Sequence, residues 1–141
     1  MNAYPSGDGR FYLVRLDRGE EVIRSLADFV TRHELGGGSI NGIGAVENTE
    51  LGYFDLHSRQ YDRRTFEQEM ELISLTGNIA WADGEPVIHA HAVLGGADYG
   101  TVGGHLFSAT IAVTGELYVT VLPDQRIERA LDERTGLKLI R

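Results

Sequence analysis

The sequence predicts an α+β fold, with one helix set against a mainly antiparallel sheet. Three observations carry this. Only Glu20–His33 shows sustained helical periodicity. About seven or eight other apolar segments are short, and turn residues rather than helices separate them. Glycine is abundant, at 18 residues against 3 prolines, which suits tight turns between strands.

In chain order, Met1–Arg10 is polar and glycine-bearing and reads as a flexible lead-in. Residues 11–141 then form a single domain. Phe11–Leu16 is a strand, and Asp17–Gly19 turns the chain. In Glu20–His33, Val22, Ile23, Leu26, Phe29 and Val30 recur every three or four residues and make one apolar stripe along one long helix. Glu20 and Glu21 in the first turn, with Arg32 and His33 in the last, suit the helix dipole. Gly36-Gly37-Gly38 stops the helix. Ser39–Val46 reads as a strand whose glycines let another backbone come close. Its Gly42-Ile43-Gly44 lacks the third glycine and the following helix of a dinucleotide fingerprint. Thr49–Leu56 is a further strand, and Ser58–Arg64 a charged connection. Phe66–Leu75 fits a strand or a helix equally well. Thr76-Gly77-Asn78 and Asp83-Gly84-Glu85-Pro86 are turn signals, with a short strand, Ile79–Trp81, between them. Near the end, Gly115-Glu116 reads as a turn or bulge, Leu117–Leu122 as a strand and Pro123-Asp124 as a turn. Gln125–Leu131 is short and amphipathic, and the tail Asp132–Arg141 ends in an apolar patch that must dock.

Three of the five histidines lie in the stretch Val87–Val113. If Val87–Leu94 is a strand, His89 and His91 share one face, while Ile88, Ala90, Ala92 and Leu94 share the other. The glycine-rich loop Gly95–Gly104 should return the chain as an antiparallel neighbour. Should His91 pair opposite His105, all three imidazoles converge on one face. A slip of one residue would turn His105 to the other side. Convergent neutral imidazoles suit zinc or another divalent metal, at about 2.0–2.1 Å per nitrogen.

Bulk composition bounds the function. The net charge of −8 argues against a surface built to neutralise phosphates, and no basic run resembles a nucleic-acid tail. The absence of cysteine removes disulfides, thiolate zinc sites and cysteine nucleophiles together. With no apolar leader and no stretch of membrane-spanning length, the sequence reads as cytoplasmic, with no membrane partner.

These pieces, in this order, resemble the PPC domain. This plants-and-prokaryotes conserved domain occurs in plant AT-hook nuclear proteins and in free-standing bacterial and archaeal proteins. The resemblance rests on YLVRL followed by GEEV, on GIGAV leading to ELGYFD, and on MELISLTGNIA. It rests most on HAHAVLG with GGHL, and on the terminal ERTGLKLI. It implies a barrel-like antiparallel sheet with a flanking helix, assembled as a homotrimer. It also implies a bound metal, usually zinc, on His89, His91 and His105. The plant partner-binding motif Gly-Arg-Phe-Glu-Ile-Leu falls on Gln68–Ile73 here. Only Glu71 matches outright, so that role does not transfer. The Arg-Gly-Arg-Pro hook is absent from the sequence, which weakens DNA binding as an inference from kinship.

Three histidines leave a zinc ion one open position, where a bound water could become a nucleophile if a base stood near. Glu47, Glu69 and Glu71 are the candidate bases or pocket residues; alternatively, one of them is a fourth ligand that closes the site. The leading reading is a trimeric metal- and small-ligand-binding or regulatory module without turnover. The alternatives are a DNA-binding regulator and a metal-dependent hydrolase or lyase on a small polar molecule. Short apolar strands with exposed edges, commonly completed by neighbouring copies, independently motivate the trimer.

Overall fold

The computed structural model describes residues 1–122 and 124–141. Its elements are β1 (Asn2–Pro5), β2 (Phe11–Asp17), α1 (Val22–Arg32), β3 (Gly38–Asp55) and β4 (Gln60–Phe66). They continue with β5 (Met70–Ala82), β6 (Glu85–Gly95), β7 (Thr101–Val121), β8 (Arg129–Leu131) and β9 (Lys138–Ile140). Every strand pairing in the two sheets is antiparallel. The main sheet runs β1-β2-β7-β6-β5-β3-β4, and β7 also pairs with β3. Hydrogen bonds therefore close a ring through β3, β5, β6 and β7.

Several segments differ from the sequence expectation. Asn2–Pro5, expected in a flexible lead-in, pairs with Tyr12–Arg15 as an added strand. The helix is short, at 11 residues, rather than long. Glu21 is its N-cap, not part of its first turn: the carboxylate accepts hydrogen bonds from the backbone N–H groups of Ile23 and Arg24. It also accepts one from the Ala109 N–H, at 3.2 Å, which ties the helix start to β7. His33 closes the other end.

The two segments SINGIGAV and TELGYFDL fuse into the 18-residue β3. The charged connection Ser58–Arg64 is largely β4, paired with the end of β3. Most of the ambiguous segment Phe66–Leu75 is strand, and β5 runs straight through Thr76-Gly77-Asn78, expected as a turn. Gly77 is there for space: a Cβ would lie 2.5 Å from the His89 carbonyl oxygen. Asp83 and Gly84 do turn the chain, both with positive φ, as a two-residue hairpin requires. Gly115-Glu116 lies inside β7, where the β3–β7 register shifts between Gly44 and Val46. Pro123, half of the expected final turn, lies outside the described residues. The tail folds back as the hairpin β8–β9.

One face of α1, carrying Val22, Leu26, Phe29 and Val30, is fully buried with Leu16, Ile111 and Leu117. On β6, Ile88, Ala90, Ala92 and Leu94 point into the same core. The intervening His89, His91 and Val93 must then face outward.

Replacing Gly77 by Ala forces β5 and β6 apart at that oxygen. A loss of about 1–3 kcal/mol is expected, as for other overpacked sites, read as a lower urea midpoint at unchanged m-value.

Candidate metal centre

The histidine site is built by strand register. β6 and β7 pair antiparallel with His91 directly opposite His105, so the two side chains rise from the same face. His89 stands two residues back along β6 and shares that face. The three ring centroids lie 5.1–5.5 Å apart. One ligating atom from each residue lies within 4.8 Å of the others. Nitrogens on a tetrahedral zinc ion stand about 3.3–3.4 Å apart, so a small rotation of the rings brings the three onto one ion.

Each ring has a distinct setting. His91 is exposed, whereas His89 and His105 are half-buried. Burial, then the neighbouring His89 and His91, hold His105 well below its ordinary value, at about 4. Burial, followed by Arg129 and His91, also lowers His89. Both imidazoles are thus neutral at pH 7. The Nδ1 of His105 is buried and has no hydrogen-bond partner among the described residues. An orphaned ring nitrogen beside two converging imidazoles fits a divalent metal.

Neighbouring side chains hold the rings. Tyr61 of β4 and Phe107 of β7 pack against His105, with centroids 5.1 and 4.6 Å away. Gly52 opposes His105 across β3 and leaves room for both: a Cβ there would lie 2.5 Å from Phe107 and 3.1 Å from Tyr61. The guanidinium of Arg63 stacks 3.7 Å above the Phe107 ring. From the C-terminal hairpin, Arg129 donates to Asn78 Oδ1 at 2.7 Å and lies 3.3 Å from His89 Nδ1. A guanidinium only donates, so that Nδ1 is the acceptor.

The carboxylates stand elsewhere. Glu71 pairs with Gly95, four residues along β6 from His91, or about 13 Å of strand. Glu69 and Glu71 line a separate hollow with Ile73, Tyr99 and Val113. Glu47 pairs with Thr110, five residues beyond His105 on β7. Among the described residues, no carboxylate joins the three-histidine group.

Sequence reasoning missed Phe107, Tyr61, Asn78 and Arg129. Phe107 was readable, because it sits two residues after His105 on the same strand. Asn78 stands opposite His89 across the β5–β6 hairpin, and it was hidden because Thr76-Gly77-Asn78 was read as a turn; Tyr61 and Arg129 reach the site only from distant segments.

A family model, the Plants and Prokaryotes Conserved (PCC) domain, matches residues 4–123. Three solved structures are similar over nearly the whole chain. A metal-containing protein from Archaeoglobus fulgidus is 36% identical, with a TM-score of 0.89 and 94% of each chain covered. A plant- and prokaryote-conserved protein from Pyrococcus horikoshii is 34% identical, with a TM-score of 0.86, covering 94% of this chain and 92% of that one. A candidate DNA-binding protein from Bacteroides thetaiotaomicron is 32% identical, with a TM-score of 0.93, covering 99% and 96%. No curated protein matches the chain.

The depressed histidines give stability a pH dependence. Between about 4 and the ordinary 6.5, the unfolded chain binds a proton that folded His105 refuses. Stability therefore rises with pH across that window and falls as the pH is lowered through it. Urea midpoints of metal-free protein should be lower at about pH 5 than at about pH 7.5. His105→Gln should flatten the difference, leaving the smaller share that His89 contributes.

Proposed function

The chain belongs to the Plants and Prokaryotes Conserved domain family, and from that premise we propose that it is a zinc-type metal-binding module with a small-ligand-binding or regulatory role. His89, His91 and His105 are the ligands in this reading. The observation that carries it is the convergence of three imidazoles on one strand face, with a buried His105 nitrogen left unpaired. The Archaeoglobus fulgidus relative, described as metal-containing, supports it.

The module acts as a homotrimer in the cytoplasm in this reading. An apolar face supports self-assembly: Ile43, Ile73 and Val113 are 57%, 48% and 67% exposed and line one shallow hollow across β3, β5 and β7. The lack of cysteine suits a reducing compartment. No helix among the described residues is long and apolar enough to cross a membrane.

DNA binding is the second reading, favoured by the description of the Bacteroides thetaiotaomicron relative. The charge of −8 opposes it. A salt-sensitive shift of duplex DNA at low ionic strength would raise it above the first.

Elemental analysis of untagged protein should find about one zinc per chain, lost when His89, His91 and His105 are all changed to Ala. Metal-free wild type, or equal metal in the triple variant, would overturn the metal reading. Light scattering should give three chain masses for the wild type and a lower mass for Val113→Glu, which places a charge on the apolar face. A monomeric wild type would defeat the trimer.

A further inference from the structure

Arg129 is not explained by the histidine site. It comes from β8, far along the chain, and its half-buried guanidinium lies against His89. Two neutral acceptors hold it: Asn78 Oδ1 at 2.7 Å and the Lys138 carbonyl at 3.0 Å. Its Nε is buried without a partner among the described residues. None of the ion pairs among the described residues includes it. A charge withdrawn from water ordinarily needs an opposite charge nearby, and this one has none.

The guanidinium borders a cavity of about 220 Å³, together with His89, His105, Tyr61, Lys138 and Leu139. The cations on that wall are Arg129 and Lys138, and Lys138 is ion-paired with Asp83, which leaves Arg129 as the wall's cation without an anionic partner among the described residues. Arg63, the other guanidinium near His105, is ion-paired with Glu50 at 3.6 Å. A chain of net charge −8 thus keeps an unpaired guanidinium at the edge of a concavity small enough for a single small molecule.

We propose that this cavity binds a small oxyanion, a phosphate or a carboxylate, with Arg129 as its principal contact. Guanidinium N–H groups suit oxyanions because they present a planar fork of donors. The inference rests on the metal reading in one respect, since a divalent ion on the three imidazoles would add positive charge beside Arg129. The small ligand of this module is therefore anionic, and Arg129 is its specificity residue.

The test is amide chemical-shift titration of zinc-loaded, untagged protein, once with inorganic phosphate and once with acetate. Zinc content is measured on the same samples. Saturable shifts in β8 and around His89 are expected with at least one anion, and the tighter arm identifies phosphate or carboxylate as the class. Arg129→Gln should weaken the dissociation constant at least tenfold, about the worth of one charge-assisted hydrogen bond. Arg129→Lys, which keeps the charge and loses the fork, should fall between. The same spectra report whether either variant has lost its fold.

Full zinc with no saturable shift from either anion would overturn the anion site and leave the metal reading standing. Unchanged affinity in folded Arg129→Gln would also overturn it. Absent zinc with phosphate shifts that still require Arg129 would overturn the metal reading alone. Absent zinc and absent shifts would overturn both.

Discussion

The pairing of β3 with β7 is the constraint on which the rest depends. These strands have 18 and 21 residues, longer than any one neighbour can cover. Each therefore divides its other edge between two partners. β7 takes β6 along Thr101–His105 and β2 along Thr114–Thr120. β3 takes β5 along Gly38–Val46 and β4 along Thr49–Asp55. With β5 and β6 also paired, the ring closes, although β6 meets β7 only along His91–Gly95. Bends are needed for closure, and the register shifts at Gly44/Val46 and Glu47/Glu50 supply them.

The three-histidine cluster is a consequence of that closure. Period-two alternation on β6 commits Ile88, Ala90, Ala92 and Leu94 to the core, so His89 and His91 are turned out by packing. A slip of the strand would bury two imidazoles and expose four apolar side chains, which pins the register strongly. The β6–β7 ladder then brings His105 opposite His91. Tyr61 and Phe107 brace its ring over the space that Gly52 leaves. Bracing is useful because ligands held by packing lose little freedom when an ion arrives.

Electrostatics complete the site. Partial burial keeps His89 and His105 neutral, and the nearby charges on Arg129 and Arg63 discourage protonation further. Glu69 and Glu71 belong to the hollow beside Tyr99 and Val113, whereas Glu50 pairs with Arg63 and Asp83 with Lys138 at the margin of the histidine cluster. Arg129 stands apart among these groups, because neutral acceptors hold it and no carboxylate among the described residues pairs with it.

Much of this was legible in the sequence. The helix stripe, the Asp83-Gly84 turn and the shared face of His89 and His91 are local, set by periodicity and by φ preferences that act within a few residues. The His91–His105 pairing was readable as a hypothesis, because a glycine-rich return between two strands has few registers that bury the apolar face. Other features were not legible, for distinct reasons. Thr76-Gly77-Asn78 looked like a turn, but Gly77 is needed because β6 approaches so closely, and only the neighbour reveals that. Asn2–Pro5 carries no strand signal of its own and becomes one by completing the edge of β2. Glu47, Glu69 and Glu71 were plausible beside the histidines by composition, and distance along the strands separates them. Arg129 and Tyr61 lie 40 and 28 positions from His89 in sequence; the folded C-terminal hairpin and the β3–β4 pairing bring them in. The sequence by itself determined which face each strand shows, because alternation is a property of one chain segment. The tertiary structure alone decided which strands meet, and so which charges surround the three imidazoles, because pairing is a property of distant segments competing for the same edges.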